Sequence, residues 1–471
     1  MYLRMQTIVS NSSELNLSLY FVYKQLYTKN GISFRLFLLF IGILSGLSSC
    51  VSLSHNYLGA AKRQAGASAF VTSYIAKQDS ARLTLDAQMD SLLLTIWRKK
   101  KEDKCLSAGE INLLYSNFGS QLDYDWTFNA MLQSNKTMRK FLTPMQRYAG
   151  ARLLCSAWLY DKSYQQVDVV RRALNRGDKG NQIPRNVLQK ARRFLYAPSI
   201  RKKLSYRKRV SKPDAVDSLL RQLPKATIFK EAYYSIFRQN DRIHSIRYNL
   251  FSFAGNWLFG SGGNRYTNRK KQKRYATQLL SVLQPYDILL SKSPGHLSGK
   301  VIPGYFGHAS IWLGNEIPKK RRFLQGLKNP NSLHYKLHQK GMAEALRNGV
   351  QVSNLQEYAD GEVFVVLRPR SLSSDQKKRV VDNTMKQMGK RYDFNFDIES
   401  PDMVNCTELV FLAYDFIDWE ARYFMDRYTL FPDDLMLTAF DNKEQFDIVA
   451  LLKDGKLIVN PAQDMLKELV K

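Results

Sequence analysis

Two side chains in this 471-residue chain have the types and spacing for nucleophilic chemistry, Cys406 and His308. Cys406 lies at the head of Asn405-Cys406-Thr407-Glu408-Leu409-Val410-Phe411-Leu412-Ala413-Tyr414, which reads as the opening of a helix with Leu409, Leu412, Ala413 and Phe416 on one buried face. A cysteine in the first turn of a helix faces unpaired backbone N–H groups and the positive end of the helix dipole, both of which favour thiolate over thiol. Such a nucleophile needs a base that takes its proton and later returns one to the leaving group, a task that suits imidazole. His308 falls in Phe306–Leu313, where Gly307, Ala309, Ile311 and Leu313 alternate with His308, Ser310 and Trp312. That alternation predicts a strand holding the imidazole on rigid backbone. The other histidines offer less. His55, His244 and His296 stand without accompanying chemistry, and His334 and His338 have metal-compatible spacing but neither an intervening Glu nor a third ligand nearby. No cofactor or metal is expected.

Several elements must position this pair. Asp287–Ser291 and Glu362–Leu367 read as strands, and a helix is expected from Ser374 to Met388, capped by Ser373 or Ser374 and stopped by Gly389. Phe446–Leu452 and Leu457–Val459 flank Asp454-Gly455, a strong hairpin signal. Upstream, residues 60–280 read mostly as helix, with apolar residues three and four apart in Ala81–Lys99 and Ala151–Leu174. The expected class is α+β, with a helical N-terminal domain ahead of a small antiparallel sheet. Cys105 and Cys155 have no histidine or second cysteine at metal spacing, and are expected to be buried thiols or one disulfide.

Charge divides the chain. Residues 1–280 hold 46 basic and 16 acidic residues against 25 and 25 in 281–471, so the whole net charge of +30 lies in the first part. Two modules with different partners are expected, 51–280 and 281–471, with the boundary near the glycines Gly260, Gly262 and Gly263 and the basic run Arg269–Arg274. A hydrophobic content of 44% excludes a disordered polyelectrolyte and a string of membrane spans, and four cysteines exclude a disulfide framework.

Residues 1–50 read as an export signal. Leu36–Leu47 is a 12-residue apolar run preceded by Lys24, Lys29 and Arg35. The following Leu47-Ser48-Ser49-Cys50 resembles the bacterial lipobox, which implies that Cys50 is lipidated and begins the mature chain. An uncleaved anchor over Phe34–Leu53 and a buried helix are the alternatives, and the 49 residues before Cys50 suggest a start assigned too far upstream. Such a protein belongs to a bacterial cell envelope. The basic clusters Arg98–Lys101, Arg201–Arg209 and Arg269–Arg274 are then expected to meet an anionic membrane surface and not nucleic acid, unless they are simply a solvated face.

At the chemical residues the chain resembles the permuted papain-like amidases of the YaeF/YiiX type, relatives of the NlpC-type cell-wall peptidases and of lecithin retinol acyltransferase-like enzymes. The resemblance rests on Asp287-Ile288-Leu289-Leu290, Gly307-His308-Ala309, Tyr392-Asp393, Cys406-Thr407-Glu408-Leu409-Val410 and Pro432-Asp433-Asp434-Leu435, in that order. In this family histidine precedes cysteine because the chain is circularly permuted, and here His308 comes 98 residues before Cys406. The resemblance implies a permuted papain-like domain with Cys406 as nucleophile, His308 as base and acid, and Glu344, of a Glu-Ala pair, orienting the imidazole, with Gln351 as a fallback. It assigns substrate contacts to Tyr392 and Asp287, and a structural role to Glu408. Tyr286 departs from the pattern, standing where the family commonly has glycine, and the basic insertion Pro318–Gly341 is longer than a simple turn. The implied activity is hydrolysis of an amide or ester in a peptidoglycan peptide, a lipid or an N-acyl amide. A lipid acyltransferase and an inactive ligand-binding module on the same fold are the alternatives.

Overall fold

The computed structural model describes residues 69–133, 142–205, 215–223, 268–292, 304–314, 341–424 and 427–469. Cys50 and the apolar run before it, His55, His244, His296, His334, His338, residues 206–209 of the second basic cluster, the Gly260–Gly263 stretch and residues 318–340 of the insertion lie outside the described residues. Within them, no helix is long and apolar enough to cross a membrane. The described chain forms two compact units: 69–98, 117–175 and 185–223 in one; 99–116, 176–184 and 268–469 in the other.

The first unit is helical. Ala69–Lys101 and Ala108–Gln133 supply its long helices, with Pro144–Lys162, Asp168–Arg176, Val187–Tyr196, Pro198–Ser205 and Ala215–Gln222 completing it. Its apolar core gathers Leu154, Trp158, Leu195, Leu204, Val216 and Leu223. Beside it runs a buried polar network: Arg82, 1% exposed, donates to Asp86 and Asp125 at 2.7 Å each, and the Tyr160 hydroxyl donates to Asp125 at 2.7 Å. The buried guanidinium is thus bridged between two carboxylates, as burial of its charge requires. The helical spacing read over Ala151–Leu174 is interrupted at Ser163, where the buried Tyr164 donates its hydroxyl to Gln121 at 2.7 Å. Cys105 and Cys155 are free thiols and form no disulfide.

Among the described residues of the second unit nine strands form, β1 Asp287–Lys292, β2 His308–Trp312, β3 Met342–Leu346, β4 Gly349–Ser353, β5 Val363–Pro369, β6 Arg422–Phe424, β7 Arg427–Thr429, β8 Phe446–Lys453 and β9 Lys456–Val459. Seven make one antiparallel sheet in the order β4-β3-β2-β1-β5-β8-β9, and β6 and β7 pair separately. Both faces of the large sheet are covered. Leu289, Met342, Phe364 and Val366 pack under the helices Arg269–Leu280 and Leu355–Tyr358, while Ile288, Leu290, Ala309 and Ile311 are fully buried on the other side. Double coverage explains why Asp287-Ile-Leu-Leu and Val363-Phe-Val-Val-Leu read as unbroken apolar runs. The helix Cys406–Ala413 packs against β2 and β3, with the helix Ser374–Gln387 alongside it. The β8–β9 hairpin turns at Asp454 and Gly455 with φ of +51° and +75°, the left-handed pair such a turn requires.

The segments 99–116 and 176–184 complete this unit. Asp178 accepts from the Lys390 ammonium, with 1% and 4% of the two side chains exposed, and Lys390 also donates to Pro401 O at 2.7 Å. Leu106 N donates to Glu399 at 2.9 Å, and Asn112 donates to Leu412 O at 3.0 Å. These bonds tie the loop before Cys406, and the end of its helix, to chain from far upstream. Replacing Lys390 by Met strands a buried carboxylate, so urea unfolding of the full chain should show a loss of about 3–5 kcal/mol.

Candidate active site

The site begins with register. Ser310 of β2 pairs with Glu344 of β3, so His308, two residues before Ser310, shares a face with Glu344 on the adjacent diagonal. Long side chains span that diagonal, and His308 Nε2 meets Glu344 Oε2 at 2.8 Å. Glu344 is 5% exposed and His308 19%, so the imidazole alone of the two reaches the surface. With Nε2 engaged by the carboxylate, Nδ1 is the nitrogen left for a second partner.

That partner is Cys406, the first residue of its helix, whose thiol lies within hydrogen-bonding reach of His308. The helix start is fixed by a reciprocal cap. Asn405 Oδ1 accepts from Thr407 N at 2.9 Å and Glu408 N at 3.0 Å, while Glu408 Oε2 accepts from Asn405 N at 2.9 Å. Glu408 thus takes the structural role expected of it. Burial, then the neighbouring Asp393, pushes its carboxyl well above the usual range.

The electrostatics favour an ion pair. Burial opposes the thiolate, since Cys406 is 1% exposed, yet the hydrogen bond and charge of His308, with the amides of Ala309 and Thr407, outweigh it and bring Cys406 below the ordinary thiol value. Burial likewise opposes the imidazolium, and Cys406 and Glu344 outweigh it, raising His308 to about 10. Ala309 N is available because the β2–β3 pairing begins at Ser310, so this amide turns to sulfur instead of a strand partner.

Tyr392 brings its hydroxyl within hydrogen-bonding reach of Cys406, and burial, then the nearby charge of Cys406, keeps the phenol protonated. It stands as a neutral donor beside the sulfur. The sequence reading passed over Tyr358, whose ring centroid is 5.9 Å from that of His308 and whose hydroxyl donates to Leu289 O at 3.2 Å. It walls the imidazole from one side. Nothing in Asn354-Leu-Gln-Glu-Tyr marked it, because its place depends on a one-turn helix folded back over the sheet.

Asp287 corrects its expectation of substrate contact. It is fully buried, accepts bidentately from Arg368 at 2.7 Å and from Gln284 N at 2.8 Å, and pairs with Trp312, four residues or about 13 Å along the strand from the Ser291–His308 pair. Its task is to anchor the start of β1. Tyr286 beside it has φ of +75°, a left-handed conformation that glycine adopts freely and that costs a tyrosine about 1–2 kcal/mol. Among the described residues no cluster of His, Cys, Asp and Glu can hold a metal ion.

Residues 282–463 match the model of a family described as permuted papain-like amidase enzymes, YaeF/YiiX, C92 family. The region around the Cys406–His308 pair is therefore a permuted papain-like domain. No curated protein and no solved structure matches the chain.

The Glu344 contact has a direct readout. Glu344→Gln removes the negative partner of the imidazolium, and NMR titration of His308 should then show its pKa lower by about one to three pH units.

Proposed function

We propose that this protein is a cysteine amidase of the bacterial cell envelope, with Cys406 as nucleophile and His308 as its acid and base. The observation that carries the reading is the chain of contacts from Glu344 through His308 to the sulfur at a helix start. The Cys406 thiolate attacks an amide or ester carbonyl carbon, and charge moves to the carbonyl oxygen. The Tyr392 hydroxyl is the protonated donor next to the sulfur and is suited to that oxygen. As the tetrahedral intermediate collapses, the imidazolium of His308 gives its proton to the leaving amine or alcohol, and a thioester to Cys406 remains. Neutral His308 then takes a proton from water, whose oxygen attacks the thioester carbonyl, and collapse releases the acid and the Cys406 thiolate, which restores the ion pair with the His308 imidazolium. Glu344 keeps the ring in register through both proton transfers.

The substrate class that fits an exported, lipid-anchored protein is an amide or ester of the envelope, in a peptidoglycan peptide or an acylated lipid. The lipobox-like Leu47-Ser48-Ser49-Cys50 and the excess positive charge of residues 1–280 support a site of action at an anionic membrane surface.

Two experiments test this reading. Iodoacetamide should alkylate Cys406 faster than Cys105 or Cys155 well below pH 8, followed residue by residue with mass spectrometry. Reaction rises as pH passes the lowered Cys406 value, and turnover falls again near pH 10 as His308 loses its proton. His308→Ala leaves only the Ala309 and Thr407 amides to oppose burial and raises the thiol, so the low-pH advantage disappears; an unchanged profile would refute the pairing. For the membrane arm, Lys202, Lys203 and Arg207–Arg209 are neutralised while Arg201, which donates to Leu195 O at 3.3 Å, is kept. With each charge worth about 1 kcal/mol at an anionic surface, affinity for phosphatidylserine vesicles should fall more than tenfold, and an unchanged affinity sinks that arm.

A further inference from the structure

The Pro432-Asp433-Asp434-Leu435 stretch has no part in the chemistry above, yet one of its carboxylates reaches the backbone that delivers His308. Asp433 sits in the first turn of the helix Pro432–Asp441, and its side chain accepts from two successive amides, Tyr305 N at 2.7 Å and Phe306 N at 2.8 Å. Phe306 is 1% exposed, and the next amide, Gly307 N, donates to Ser291 O at 3.0 Å, where Ser291 is the strand partner of His308. Three consecutive backbone donors before His308 are therefore fixed, two by Asp433 and one by the sheet. The approach of the carboxylate leaves no room for a side chain at Gly304. A Cβ there would lie 2.4 Å from Asp433 Oδ2, and its φ of +119° is a value that favours glycine.

Asp434 provides a contrast on the same turn. Its carboxylate accepts from its own helix start, Phe431 N at 2.7 Å, and pairs with Arg422, with no bond to the His308 segment. One acid serves the helix and its neighbour serves the loop.

We propose that Asp433 is a positioning residue for His308: through the Tyr305 and Phe306 amides it sets the entry of β2, and with it the placement of the imidazole against Cys406. The proposal rests on the Cys406–His308 reading. His308 is the first residue of its strand and its β3 pairing starts only at Ser310, so the ladder on that side does not hold it. The Asp433 clamp supplies the missing restraint. Loss of the clamp lets the ring drift, and a displacement of about 1 Å at a reacting group is enough to cost up to a hundredfold in rate.

The test uses the full-length protein and the alkylation profile of Cys406 across pH 5 to 10, with melting temperature measured alongside. Asp433→Ala should slow alkylation at pH 6.5 by about tenfold or more and shift the profile toward that of His308→Ala. Asp433→Asn, which keeps the shape and one acceptor, should fall between Asp433→Ala and the wild type, and it serves where the alanine variant does not fold. Asp434→Ala should lower the melting temperature and leave the profile in place. If the Asp433 variants melt earlier but keep the wild-type profile, the residue is only structural and the proposal is overturned. A matching shift in Asp434→Ala overturns it too, since the effect then belongs to the helix as a whole. Should the wild type itself show no low-pH reactivity at Cys406, the Cys406–His308 pairing fails first and the positioning role falls with it.

Discussion

Everything in the second unit converges on one electrostatic problem, which is to hold a charged sulfur where water barely reaches. Burial of Cys406 works against the thiolate, and the same low-dielectric setting strengthens each compensating contact. The compensation comes from three directions: an imidazolium from β2, a strand amide at Ala309, and the amide of Thr407 at a helix start. The Glu344 carboxylate matters because it holds the proton on His308, so the charge on sulfur depends on a residue one strand away.

Such a site places demands on parts of the fold that carry no chemistry. The helix that bears Cys406 must start at that residue, and the Asn405–Glu408 cap ensures it does. The loop before that cap is bonded from outside its own neighbourhood, by Asp178 to Lys390 and by Glu399 to Leu106. Those bonds lie between residues more than two hundred positions apart in sequence. Chain order is thus secondary to register and helix ends, which bring His308 and Cys406 together although 98 positions separate them in sequence.

Much of this was legible in the sequence because local chemistry decided it. Ser373 caps its helix, Asp454-Gly455 turns its hairpin, and the alternation around His308 puts its strand where expected. The misses have a common cause in tertiary contact. The helical spacing over Ala151–Leu174 is interrupted at Ser163, where the buried Tyr164 hydroxyl is satisfied in the core. Asp287 looked like a site residue by its motif, and only the Arg368 fork and the strand register reveal an anchor about 13 Å away. Tyr358 and the segments 99–116 and 176–184 carry no local signal at all. Their places are set by surfaces that exist only once the sheet has formed.

One strained position of this unit stands at the entry to β1. Tyr286 holds a left-handed φ at the entry to β1, with its amide bonded to Trp312 O at 2.7 Å and its carbonyl to the Tyr414 hydroxyl at 2.7 Å. Tyr414 closes the helix that Cys406 opens, so the strained residue links the far end of that helix to the first strand of the sheet. A strain of about 1–2 kcal/mol persists only where surrounding contacts over-determine the backbone, and here two hydrogen bonds do so. Glycine at this position would relieve the strain and also free the backbone. The tyrosine gives up local ease for a tighter joint between the element that carries the sulfur and the sheet that carries the imidazole.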